Sequence, residues 1–283
     1  MLVILLALAA SATYGIADFC GGLASRRAPA FTVATVALVA GLVALLVAVP
    51  FVTADAAPTT RDLMWGAASG AAGGVGVGLL YAALGMGRMS VVAPVTAVCG
   101  LAVPVLVGLA LGERPSVPAL AGVVLAAAAV VLISQGHETD ADRPGANDAR
   151  ALVFSLASGV AIGAFYVCLQ RTPPSAGLWP IVVARAVSVA GFVLVALVGR
   201  RPLTIARPTL WLVLVGGVID TTANVLYLLA VRRGLLSVVA TLASLYPAST
   251  VLLARLVLGE RVRLVQAAGL AVAAVAVVLI GSG

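Results

Sequence analysis

The chain has no lysine, one histidine and three cysteines, and only 10% of its 283 residues are charged. Each scarcity excludes something. All 17 basic residues are arginine, a bias shared with the Ala/Val/Gly excess and read as coding preference rather than chemistry. These arginines stand singly or in pairs between apolar runs and form no basic face. The net charge of +7 therefore points to membrane topology and lipid headgroups, not to nucleic acid. Cys20, Cys99 and Cys168 lie inside apolar runs without CxxC spacing, which suggests neither a disulfide nor a metal site. His137, the only histidine, falls in a polar stretch, so His-based metal or triad chemistry has no basis. Ten scattered acids and no GxxxxGK[ST] motif leave no enzyme active site, no ATP drive within this chain and no cofactor.

What the chain has is apolar surface: 63% hydrophobic residues and a mean hydropathy of +1.19. A soluble domain of this length needs more polar cover. A bilayer accepts the composition, at roughly 20 apolar residues per crossing. The opening run from Leu2 to about Cys20 has an Ala10-Ser11-Ala12 stretch like a leader cleavage site. It lacks a basic start and more spans follow, so it reads as a retained first helix. Apolar runs place helices at 2–23, 31–51, 62–86, 90–111 and 117–135, then at 151–171, 178–199, 208–231, 236–258 and 264–281. The expectation is an all-α polytopic membrane protein with two five-helix units, 1–135 and 151–283, joined by a polar linker at 136–150.

The two units repeat. Ser90-Val91-Val92-Ala93 returns as Ser237-Val238-Val239-Ala240, Leu111-Gly112-Glu113-Arg114 as Leu258-Gly259-Glu260-Arg261, and Gly122 as Gly269. At this fixed offset of 147, 19 of 45 positions are identical. Many matches are Ala, Val or Leu, but the Gly-Glu-Arg triplet is not a product of composition. Five spans per copy is odd, so the second copy enters the membrane upside down. Inverted repeats are a recurring build of secondary transporters, with the substrate site near the midplane between the repeats. The third and eighth helices align at an offset of 146, pairing Trp65 with Trp211, Gly70 with Gly216 and Tyr81 with Tyr227. Gly66, Gly70, Gly74 and Gly78 form an every-fourth-residue ridge suited to close helix packing.

The two "Ser-Val-Val-Ala … Leu-Gly-Glu-Arg … Gly" segments, and the opening stretch Tyr14 to Gly22 followed by Arg26-Arg27, resemble the ten-helix EamA-type members of the drug/metabolite transporter superfamily. The resemblance covers essentially the whole chain. It implies a small-molecule carrier whose central cavity is lined by helices one to four and six to nine, with helices five and ten outside. Members often carry an arginine in the second helix; this chain has none there, while Arg185 fits the seventh. Substrates vary across the family and do not carry over.

An ionisable side chain at mid-span costs from ~2.5 to above 10 kcal/mol, so each needs a partner, a wet cavity or a job. Asp18, Arg185, Asp220 and Arg255 qualify. Asp220, Asn224 and Tyr227 share one helical stripe; at an offset of 146 their first-repeat counterparts are Gly74, Gly78 and Tyr81. Asp220 reads either as a structural partner of Arg185 or as a cation or proton site. Asp18 sits either at the interface near Arg26 and Arg27 or deeper, where it suits proton–substrate exchange. Arg255 reads as snorkelling. Tyr14, Tyr166 and Tyr246 fall within spans and need hydroxyl partners. Helix breaks are expected at Pro94, Pro104 and Pro247, with Thr96 a donor near the first. Glu113 and Glu260 read as caps on the helix 4–5 and 9–10 turns, outside the site. The candidate substrate site is thus Tyr14, Asp18, Tyr81, Thr96, Tyr166, Arg185, Asp220, Asn224, Tyr227 and Tyr246.

The leading expectation is a secondary carrier in the cytoplasmic membrane, moving a small metabolite or drug-like molecule by alternating access with protons as coupling ion. The alternative is a flippase for a lipid or lipid-linked carrier on the same fold. Ten spans put both termini on one side with Arg61, Arg114, Arg171, Arg232 and Arg233, against ten arginines opposite. The arginine excess argues for termini outside, and the family resemblance implies termini in the cytoplasm. Oligomeric state is not legible.

Overall fold

A computed structural model describes residues 1–53, 56–84, 89–134, 148–259 and 262–282. Most of the expected linker, Arg88, His137, Arg143, Glu260 and Arg261 lie outside the described residues, as does the side chain of Tyr81. The described chain is helical: α1 (Leu2–Ser25), α2 (Ala30–Val52), α3 (Thr60–Leu84), α4 (Met89–Ala110), α5 (Val117–Ser134), α6 (Asp148–Gln170), α7 (Trp179–Val198), α8 (Arg207–Val231), α9 (Leu236–Ala243), α10 (Tyr246–Leu258) and α11 (Leu264–Ser282). Nine stretches, with Leu236–Leu258 counted as one, are long and apolar enough to cross a membrane, and Val95–Ala110 of α4 is a shorter apolar tenth. In lipid every backbone polar group needs an internal partner, and long helices provide it. The architecture is ten membrane helices in two five-helix repeats, which the odd count inverts.

Boundaries follow local chemistry. Thr59 and Asp62 form a capping box at the start of α3: the Thr59 amide and hydroxyl donate to Asp62 Oδ2 at 2.9 and 2.8 Å, and the Asp62 amide donates to Thr59 Oγ1 at 3.3 Å. Gly112 and Gly259, beyond α4 and α10, take φ of +89° and +68°, a conformation that ends helices cheaply only at glycine. The prolines behave differently from expectation. α4 runs unbroken through Pro94 and Pro104, whereas the ninth span divides at Ser244-Leu245, with Pro247 in the first turn of α10. Proline lacks the amide that would have tied α10 back to α9. Within α10 the hydroxyls of Ser249 (2.9 Å) and Thr250 (3.2 Å) donate to the carbonyl of Tyr246.

The halves interlock by exchange. α3 packs on α6 and α7 of the second repeat; α8 packs on α1 and α2 of the first. α4 lies on α6 as α10 lies on α1, and α5 pairs with α11 at the periphery. Glycines fix the close approaches. Gly70 abuts the Ala184 backbone and Gly217 that of Ala37; Gly74 faces Ser188 and Gly41 faces Thr221; Gly122 meets Ile280 and Gly269 meets Ile133. Each contact becomes its partner when 147 is added to one residue and subtracted from the other. The offset of 147 therefore governs the third and eighth helices too, correcting the 146 read from Trp65 and Tyr81. The counterparts of Asp220, Asn224 and Tyr227 are Gly73, Val77 and Leu80.

Packing is unequal across the bilayer. On the side of the termini, one continuous apolar cluster joins α1, α2, α6, α7, α8 and α9 through Ala7, Leu45, Leu169, Ile181, Leu228 and Val239. On the linker side the described core is divided. Of two inner clusters, one joins α1, α2 and α8 through Ala24, Val33 and Val213 and the other joins α3, α4 and α6 through Ala83, Val92 and Ala151, while a third joins α5, α10 and α11 through Ile133, Val251 and Ala273.

Candidate functional site

Between the two inner linker-side clusters, and above the continuous core, the polar residues of the spans converge. Arg185 on α7 forms an ion pair with Asp220 on α8. One turn on, Asn224 Nδ2 donates to the Asp220 carbonyl at 2.8 Å, and its Oδ1 accepts the Tyr14 hydroxyl of α1 at 3.0 Å. The Tyr14 and Tyr166 side chains interact electrostatically across α1 and α6. This chain of polar groups crosses from the second repeat into the first and back.

Aromatic rings close around it. Tyr166 lies 4.5 Å from Tyr227, centroid to centroid, and 5.3 Å from Phe165; Tyr246 meets Tyr14 edge-on at 6.5 Å. The Tyr227 hydroxyl is buried without a hydrogen-bond partner among the described residues, unusual because buried polar groups are nearly always paired.

Asp18 completes the set. It shares the α1 face of Ser11 and Tyr14, both buried, yet is itself exposed. The lipid-facing stripe of α1 runs instead through Leu5 and Ile16, roughly 160° away around the helix at 100° per residue. Its exposure therefore belongs to an opening inside the bundle. It interacts electrostatically with Asp220, Tyr166 and Tyr246, and no ion-pair partner for it exists among the described residues. Beyond it, Gly21 and Gly22 on α1 and Gly78 on α3 border open space toward the linker side.

The repeat symmetry shows how the site arose. Asp18 and Asp220 correspond, at 147, to Phe165 and Gly73. In that half the Phe165 ring lies over Gly73, Cδ2 3.0 Å from the position of a Cβ there. Two carboxylates thus occupy the positions at which the symmetric half seals itself with a phenyl ring on a glycine.

The terminus side is stitched shut by groups the sequence reading left outside the site. Glu113 does more than cap its own turn. Its carboxylate crosses to the second repeat and accepts the amides of Leu236 (2.5 Å) and Ser237 (3.0 Å) and the Ser237 hydroxyl (2.6 Å) at the start of α9. That end of a helix favours a negative charge. Arg232, at the end of α8, donates to the carbonyls of Thr172 (3.0 Å) and Gly177 (2.8 Å) in the α6–α7 connection.

Thr96 stands apart, contrary to expectation. It is buried between α4 and α6, its hydroxyl donating to the Ser155 carbonyl at 3.2 Å. Arg255 is exposed in the last turn of α10, as snorkelling requires. Ser69, Ser158 and Ser188 donate to the carbonyls of Phe165, Gly76 and Gly70, so the α3 glycine ridge is a packing device up to Gly74. Among the described residues no group of three His, Cys, Asp or Glu could hold a metal ion.

Comparison with known proteins agrees with this architecture. The model of the EamA-like transporter family matches the chain twice, over residues 1–135 and 149–282. No curated protein matches. A solved crystal structure superposes with a TM-score of 0.77 over 98% of this chain and 95% of that one at 16% identity; at that identity the likeness speaks for the fold alone.

Proposed function

The chain belongs to the EamA-like transporter family and is a multi-pass membrane transporter, and on that premise we propose that it is a secondary carrier of a small molecule in the cytoplasmic membrane. The units 1–135 and 151–283, joined by the linker at 136–150, act as the two moving bodies. The substrate binds among Tyr14, Asp18, Tyr166, Arg185, Asp220, Asn224, Tyr227 and Tyr246, and Tyr81 of α3 is proposed with them. The observation that carries this reading is the hydrogen-bonded path Tyr14–Asn224–Asp220–Arg185, which spans both repeats at mid-membrane. A bundle built only for stability has no reason to keep such a path beside an unpaired carboxylate, because each charge there is costly.

The conformation has a direction. Glu113, Arg232 and the continuous apolar core close the terminus side, and the glycine-flanked gap at Asp18 opens toward the linker side. Alternating access exchanges these conditions by moving one repeat against the other. Asp18, without a basic partner among the described residues, exchanges a proton for substrate. Flux in proteoliposomes under an imposed pH gradient tests the coupling. Acceleration by the gradient, abolished in Asp18→Asn, is the expected result; flux indifferent to the gradient, with Asp18→Asn and Asp220→Asn both silent, refutes it. A flippase on the same fold requires a lateral opening between helices, whereas a solute carrier requires a cavity that opens to water.

A further inference from the structure

We infer that the substrate of this site is an organic cation, an amine carried on an apolar or aromatic body, whose ammonium pairs with Asp18 inside a cage of tyrosine rings. The inference rests on the carrier reading and adds the chemical class.

The charge balance argues it first. Among the described residues three ionisable groups other than tyrosine face the site: Asp18 from α1, Arg185 from α7 and Asp220 from α8. Arg185 is committed to Asp220, and Asn224, the one amide, is committed at both ends to Tyr14 and to the Asp220 carbonyl. What remains is a carboxylate with no counter-charge among the described residues. An anionic or zwitterionic solute would need Arg185 withdrawn from Asp220, leaving that acid unpaired. A cation needs nothing displaced.

The walls argue it second. Tyr14 and Tyr246 make one ring contact at 6.5 Å and Tyr166 and Tyr227 another at 4.5 Å, and Tyr246 and Tyr166 both interact with Asp18. Aromatic faces carry negative charge density and attract ammonium groups, more strongly when desolvated. The buried Tyr227 hydroxyl, lacking a partner among the described residues, offers a donor to a polar atom on the body of the solute. A metal cation does not fit, for only two carboxylates converge and no third ligand of that kind joins them. The symmetric half makes the contrast: where Phe165 covers Gly73 there is neither charge nor room.

The test uses the full-length purified protein and four probes sharing one phenyl body: phenethylamine, neutral 2-phenylethanol, anionic 3-phenylpropionate and zwitterionic phenylalanine. Equilibrium dialysis and thermal shift read binding. Phenethylamine should bind best, at least about tenfold weaker in Asp18→Asn, the loss expected for one charged hydrogen-bonded contact. Asp18→Glu should recover part of the affinity, and the unliganded melting temperature of each variant guards against misfolding. Equal or better binding of the neutral, anionic or zwitterionic probe overturns the assignment, as does undiminished amine binding in Asp18→Asn or binding of no probe at millimolar concentration. Amine binding without uptake into proteoliposomes keeps the recognition chemistry and refutes the carrier reading. Uptake of the anionic probe without amine binding does the reverse.

Discussion

Removing either partner of the Arg185–Asp220 pair should destabilise the protein, and unequally. The Arg185 side chain is 10% exposed and that of Asp220 34%. Asp220→Asn leaves a guanidinium almost wholly enclosed without a counter-ion. Arg185→Met leaves a carboxylate with a third of its surface open. Breaking a fully buried pair costs ~3–5 kcal/mol, chiefly by stranding the remaining charge. Water reaching Asp220 weakens the pair, so about 2–4 kcal/mol is expected for Asp220→Asn and about 1–2 for Arg185→Met. The double variant Arg185→Met/Asp220→Asn strands neither charge and should cost less than the sum of the singles by ~1 kcal/mol or more. Equilibrium unfolding in mixed micelles measures all three. Additive single effects, or a larger loss for Arg185→Met, would refute the argument.

Other expectations follow from the same contacts. Glu113→Ala removes a charged acceptor from two amides and a hydroxyl at the start of α9, costing about 1.5–3 kcal/mol and increasing maleimide labelling of a cysteine at Arg233 on the terminus side. Gly217→Ala drives a methyl into the Ala37 backbone and should cost ~1–3 kcal/mol in the same unfolding assay. Gly78→Ala, bordering open space, should be neutral or gain about 0.5–1 kcal/mol from helix propensity. Tyr14→Phe frees Asn224 Oδ1 and should lower stability by about 0.5–1.5 kcal/mol, with a larger loss of substrate affinity.

The helices were legible because lipid makes length and hydropathy decisive; ten runs of apolar residues locate the ten spans within a few positions. Inversion followed by counting. Less legible was anything set by contact between the halves. The Trp and Tyr matches suggested an offset of 146 in the third and eighth helices, but backbone approach at Gly70 and Gly217 obeys 147, and only packing reveals it. Proline signals a lost amide, not whether the chain bends or breaks; α4 absorbs two prolines and the ninth span yields at one. Thr96 looked like a site donor because its hydroxyl lies near a proline, yet a buried threonine also satisfies itself on a neighbouring helix. Glu113 carried the strongest motif signal in the chain, and its partner lies 123 residues away at Leu236, beyond any local reading. Asp18, Asp220 and Arg185 were found because charge inside a membrane is expensive wherever it occurs.

The most direct test of the central claim is a distance across the terminus-side seam. Spin labels at Arg114 and Arg233, both exposed and flanking the Glu113–Ser237 contact, report separation of the repeats by double electron–electron resonance in nanodiscs. Two distance populations, exchanging weight when a transported solute is added and biased toward the longer in Glu113→Ala, are the predicted result. A single distance, unmoved by solute and by that substitution, would contradict a carrier that works by rocking its two halves.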